Sequence, residues 1–83
     1  MKEMEIKIEL NREDLEMREK GYKFKLWLET EVEDGMRFRN DYYFKTLEEV
    51  NKKINETEEK CRLWDEYCIS DMEIIDLEKE VLI

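Results

Sequence analysis

The chain has 83 residues, with 24 Asp and Glu against 15 Lys and Arg, a net charge of −9, no histidine, no proline, two glycines and two cysteines. This length makes one domain, residues 1–83, with a single thin core that buries about 60–65% of the unfolded surface, which excludes a core plus a deep substrate cavity. The lack of histidine removes Ser-His-Asp triads and most zinc sites, while nine aromatic residues in a chain that is 41% hydrophobic exclude an acidic disordered tail.

Met4 to Leu10 alternates, apolar at even positions and charged at odd ones, and predicts a half-buried strand. Residues 11–21 are open between a short helix, capped by Asn11 or Asp14 and ending at Gly21, and a plain connection. Tyr22 to Val32 and Met36 to Phe44 then read as a hairpin around Glu33-Asp34-Gly35. A two-residue Asp34-Gly35 loop sets Glu31 opposite Phe38 and puts apolar residues on opposing faces. A three-residue loop with Gly35 left-handed instead pairs Val32 with Met36, Leu26 with Tyr42 and Phe24 with Phe44 on the inner face. On the outer face it pairs Glu31 with Arg37, Glu29 with Arg39, Trp27 with Asp41 and Lys25 with Tyr43. Opposite charges then meet across the strands, each such pair contributing roughly 0.2–1 kcal/mol, so this register is the one expected.

Thr46-Leu47-Glu48-Glu49 is a capping box. The stripe Leu47, Val50, Ile54, Thr57, Cys61, Trp64 and Cys68 predicts an amphipathic helix over 47–66 lying across the sheet. Asp71 to Leu77 reads as the last major strand, and Glu78-Lys79-Glu80 turns it into Val81-Leu82-Ile83, a short edge strand or a fraying end. The fold expected is α+β: an antiparallel sheet of three to five strands with one long helix on one face, in the order β-β-β-α-β.

No phosphate-binding loop, nucleophile elbow or metal-ligand spacing occurs, so no catalytic residue, cofactor or metal is expected. Cys61 and Cys68, one heptad apart on the expected helix, lie about 10.5 Å apart, too far for a disulfide, and read as reduced core thiols. Trp27 faces outward beside Asp41, Lys25 and Tyr43. Tryptophan and tyrosine anchor interfaces because they bury much area at low entropic cost, so Trp27 and Tyr43, with Asp41, are candidate partner-binding residues. Packing against a second copy or cover by residues 11–20 are the alternatives for Trp27. The acidic excess lies in residues 61–83, where Asp65, Glu66, Asp71, Glu73, Asp76, Glu78 and Glu80 face only Arg62 and Lys79. Such a cluster imitates a phosphate track and suits a basic, nucleic-acid-binding protein surface. The same charge repels nucleic acid and anionic lipid, so neither direct nucleic-acid nor membrane binding is expected, and a homodimer is open.

The hairpin, the Thr46-Leu47-Glu48-Glu49-capped helix, the terminal strand and the Lys/Glu/Ile/Asn-rich acidic sequence resemble small proteins of phages and mobile elements. Among these are anti-CRISPR and other anti-defence inhibitors, and the resemblance implies a non-enzymatic protein that blocks a host complex by binding it in the host cytoplasm. Other expectations are a protein that sequesters a signalling nucleotide through Lys23, Lys25, Arg37 and Arg39, a small structural or assembly module, or an antitoxin. No apolar run is long enough to span a membrane, and the first residues do not read as a signal peptide.

Overall fold

The computed structural model describes residues 6–64 and 67–83, and its frame is the hairpin. Phe24–Glu31 (β1) and Arg37–Phe44 (β2) pair antiparallel without a break, Phe24 opposite Phe44 and Glu31 opposite Arg37. This is the register of the three-residue loop. The Val32 N–H donates to the Met36 carbonyl at 3.0 Å, and Gly35 takes φ +75°, the left-handed conformation that the bulged turn requires.

Cys68–Asp76 (β3) pairs antiparallel with the other edge of β1, with a bulge at Glu29/Thr30, and Val81–Leu82 (β4) closes that side. The sheet order is β2-β1-β3-β4. Two helices complete the α+β fold, Arg12–Glu19 (α1) and Leu47–Leu63 (α2), so the element order is α1-β1-β2-α2-β3-β4. The long helix lies between the second and third strands of the sheet, and the leading element is a helix rather than a strand.

Each sheet face has its own small core, as the period-two alternation of β1 demands. On one face Leu26 and Leu28 meet Val50 and Ile54 of α2, flanked by Phe24, Tyr42, Phe44, Ile69 and Ile74. On the other, Leu10, Ile75 and Leu77 are buried with Ile8, Tyr22, Trp27, Tyr43 and Leu82 around them. The N-terminal segment and α1 belong to this second layer.

Three expectations change. The strand expected over Met4–Leu10, of which Met4 and Glu5 lie outside the described residues, forms only the bridge Lys7–Val81 beside β4. The strand does not extend because β4 is two residues long and offers little edge to pair with; the alternation is expressed only in part, with Leu10 buried, Ile8 half-buried and Ile6 exposed. The helix ends at Leu63, and Trp64 caps it in an extended conformation. Cys68 therefore opens β3 and is exposed instead of continuing the helical stripe, while Cys61 is half-buried; both are free thiols. The stripe fails there because three- and four-residue spacing and strand alternation both fit a short run, and the helix leaves the sheet before reaching it.

Candidate functional site

Behind the Trp27 face lies a buried polar network. Asn11 and Asp14 cap α1 reciprocally: the Asp14 N–H donates to Asn11 Oδ1 at 2.8 Å and the Asn11 N–H to Asp14 Oδ2 at 3.2 Å. The remaining capacity of Asp14 goes to the sheet, where Oδ1 accepts from Lys25 Nζ at 2.8 Å and from the Tyr43 hydroxyl at 2.7 Å. Asp14 and Lys25 are each only 3% exposed. Burial pushes the Asp14 carboxyl up, but the Lys25, Tyr43 and Asn11 hydrogen bonds and the Lys25 charge outweigh it and hold the pKa below the usual value. Burial and the Asp14 carboxylate push the Tyr43 phenol well above its usual range. The Tyr43 hydroxyl and the Asp14 carboxylate thus satisfy one another and fasten α1 to the sheet.

Three of the residues expected to bind a partner lie in or beside this network. The Tyr43 hydroxyl is used by Asp14. Trp27 is half-buried, with the Arg39 guanidinium 4.4 Å from its ring centroid. Asp41, exposed, pairs with Arg39 at 3.2 Å and lies 3.9 Å from Lys25 Nζ. Within the chain the Trp27 ring packs beside the Leu10, Ile75 and Leu77 cluster and remains half-exposed.

The described acidic residues of the 61–83 segment are strung along β3 and the turn that follows it. Asp65 and Glu66 lie outside the described residues. Asp71 is exposed opposite Glu29, and Glu73 is half-buried opposite Trp27. Asp76 and Glu78 lie at the β3–β4 turn, where Asp76 Oδ1 accepts from the Glu78 and Lys79 N–H groups at 3.0 Å, so Asp76 shapes the turn. Among the described residues none of Asp71, Glu73, Asp76, Glu78 and Glu80 has an ion-pair partner, and Asp71, Glu78 and Glu80 face solvent. Of the cations expected around a nucleotide, Lys25 is buried on Asp14, and Arg37 and Arg39 answer Glu29, Glu31 and Asp41.

The feature that local sequence reading passed over is on the α2 face. The helix starts at the Phe44 end of β2 and delivers the chain to Cys68, which pairs with Glu31 at the opposite end of the sheet. It therefore crosses diagonally and leaves the hairpin-tip half of β2 uncovered. Its buried stripe stops at Thr57, whose hydroxyl turns back to the Lys53 carbonyl at 2.9 Å. The open wedge is a groove of about 810 Å³ lined by Thr30, Val32, Phe38, Asn40, Trp64 and Tyr67, with Glu33 and Asp34 on its rim. Trp64 is 62% and Phe38 48% exposed. Trp64 and Tyr67 meet edge to face with centroids 6.0 Å apart, and the Tyr67 N–H donates to the Trp64 carbonyl at 3.0 Å. The available signal was Leu63-Trp64 at the end of a stripe with nothing left to cover.

Among the described residues no group of three metal-ligating side chains converges, and no helix is long and apolar enough to cross a membrane. No protein-family model, curated protein or solved structure matches the chain.

Proposed function

We propose that this chain is a non-enzymatic protein-binding module whose docking site is the Phe38/Trp64/Tyr67 groove. The observation that carries the reading is an exposed aromatic groove whose lining, among the described residues, holds two carboxylates, Glu33 and Asp34, and no cation. Aromatic side chains in a concave site supply binding energy, and acids on the rim select what approaches. The partner that fits is a basic protein surface carrying an apolar side chain next to Lys or Arg. A second copy of the chain is disfavoured in this groove, since acidic rims would meet.

The finer reading is an inhibitor of the phage type, acting in the host cytoplasm on a nucleic-acid-binding complex. It is supported by the net charge of −9 and by the unpaired, solvent-facing Asp71, Glu78 and Glu80. On that reading the nucleic acid of the complex competes with the chain for the same surface.

Synthetic peptides alternating Leu with Lys, compared with peptides alternating Leu with Glu, test the groove directly. The Lys peptide is expected to shift the Trp64 indole resonance and leave that of Trp27 in place, with affinity falling at least tenfold for Trp64→Ala and for Glu33→Lys/Asp34→Lys. Equal binding of both peptides, or binding indifferent to these variants, rules the groove out.

A further inference from the structure

The two edges of the sheet are treated differently. On one side β4 is two residues long and its outer flank is bridged by Lys7. On the other, β2 is an eight-residue strand with no proline and no bulge, following β1 in unbroken register. Long, regular, uncovered edges are templates for pairing, and proteins usually blunt them. The directions of its free backbone groups can be read from the hydrogen bonds at its ends. Val32 and Met36 form a hydrogen-bonded pair, and the Phe44 carbonyl accepts from Lys23, so the even residues of β2 point their backbone groups at β1. The N–H and C=O groups of Arg37, Arg39, Asp41 and Tyr43 therefore point out of the sheet.

From this we infer that β2 is a dimerisation edge, pairing antiparallel with β2 of a second copy about a two-fold axis at Asn40. Three registers bring the outward backbone groups of two copies face to face near the strand centre. One sets Arg39 against its own copy and one sets Asp41 against its own copy, each a direct like-charge contact that destabilises a cross-strand pair. The third sets Arg39 opposite Asp41 of the second copy, twice by symmetry, and Arg37 opposite Tyr43 of the second copy. Because Arg39 and Asp41 are already 3.2 Å apart within one chain, the two pairs close into a square of alternating charge.

On the α2 face the same register brings half-exposed Phe38 against Tyr42 of the second copy, and Met36, 54% exposed, against its Phe44. The groove then gains a far wall from the second copy. Net charge opposes self-association in general, but this edge is where the acidic excess is missing, since Arg37, Arg39 and Lys45 outnumber Asp41 over residues 37–45. The inference does not depend on what the groove binds. An isologous contact of this kind continues the four strands of each copy into one sheet.

Two charge variants test it. Arg39→Glu sets Glu opposite Asp, and Asp41→Arg sets Arg opposite Arg, so each alone is expected to weaken the dimer at least tenfold. An equimolar mixture of the two restores Glu–Arg and Arg–Asp pairs and is expected to recover a species of twice the 10.4 kDa chain mass in light scattering. Independently of folding losses in those variants, Asn40→Cys with Cys61→Ala and Cys68→Ser places two thiols across the axis in a close, non-hydrogen-bonded pair. Mild oxidation is expected to yield a covalent dimer with unchanged circular dichroism. A wild-type chain that stays monomeric at millimolar concentration, a mixture no more associated than its components, or an Asn40→Cys variant that fails to cross-link overturns the assignment.

Discussion

Asp14 is a surface-type residue carrying a core-type load. It starts α1 as part of the N-terminal capping box and simultaneously satisfies the ammonium of Lys25 and the hydroxyl of Tyr43, in a side chain that is 4% exposed. Buried ion pairs are weak contributors as pairs but costly to break singly, because the remaining charge is stranded away from water. Asp14→Ala is therefore expected to destabilise by about 3–5 kcal/mol in urea titrations. Asp14→Leu combined with Lys25→Met, which removes both charges, should cost much less than that single change. Equal losses in the two variants would mean that Lys25 finds another carboxylate, Asp41 being the one in reach. The pH dependence follows with opposite signs at the two ends. The Asp14 carboxyl titrates below its unfolded value of about 4, so its contribution is complete above that pH and is lost as pH falls through the lowered folded pKa. The Tyr43 phenol titrates above its unfolded value of about 10, so its contribution is complete below pH 10 and is lost as pH rises beyond it. Asp14→Asn is expected to flatten the acid limb of the urea-midpoint profile and, because the Asp14 carboxylate also raises the Tyr43 phenol, to shrink the alkaline limb as well, whereas Tyr43→Phe removes the alkaline limb and only reduces the acid one, since Lys25 and Asn11 still hold Asp14.

At the scale of elements, three turns carry residues with positive φ, at Gly21, Gly35 and Glu80, and only the last is not glycine. Gly35 has φ +75°, and a Cβ built there meets nothing within 4 Å, so the cost of Gly35→Ala is purely one of backbone conformation, about 1 kcal/mol. Glu80, with φ +57°, holds the same kind of conformation with a side chain that disfavours it, while its N–H donates to the Asp76 carbonyl and its carbonyl accepts from Ile8. Glu80→Asn, a residue that tolerates this conformation, is expected to stabilise by a few tenths to about 1 kcal/mol, and an unchanged or lowered thermal midpoint would refute that. Elements fixed by short-range rules were legible in the sequence. The hairpin register follows from Gly35 and the charge pairs, and the start of α2 follows from Thr46, whose hydroxyl accepts from the Glu49 N–H at 3.2 Å. α1 stayed open because its apolar content is poor, Leu15 and Met17 alone. What fastens it is the ion pair to Lys25 on the next strand, a position that alternation reads as an outward charge. The groove was hidden for a related reason: Trp64 continues the helical stripe by spacing, and only the diagonal path of α2 shows that the sheet beneath it is no longer there.

For the molecule as a whole, the net charge of −9 acts over distances set by salt. At about 10 mM ionic strength the Debye length is roughly 30 Å, comparable to the 37 × 35 × 23 Å extents of the fold, so every carboxylate feels the others. At about 150 mM it is roughly 8 Å, and only neighbours interact. The buried Asp14–Lys25 pair is shielded from this change, whereas the exposed acids are not. Raising NaCl from about 10 to 150 mM is thus expected to increase the urea midpoint and then level off. Glu58→Lys with Glu78→Lys, each swap adding two charges and bringing −9 to −5, should raise the low-salt midpoint and flatten the rise. Binding at the groove runs the other way: if Glu33 and Asp34 select a basic partner, affinity for the Leu–Lys peptide falls over the same salt range in which the fold grows more stable. The two trends separate the roles of acidity in this chain. A midpoint insensitive to salt would show that the exposed carboxylates cost the fold nothing, and a peptide affinity insensitive to salt would leave the rim acids as solubilising charge alone.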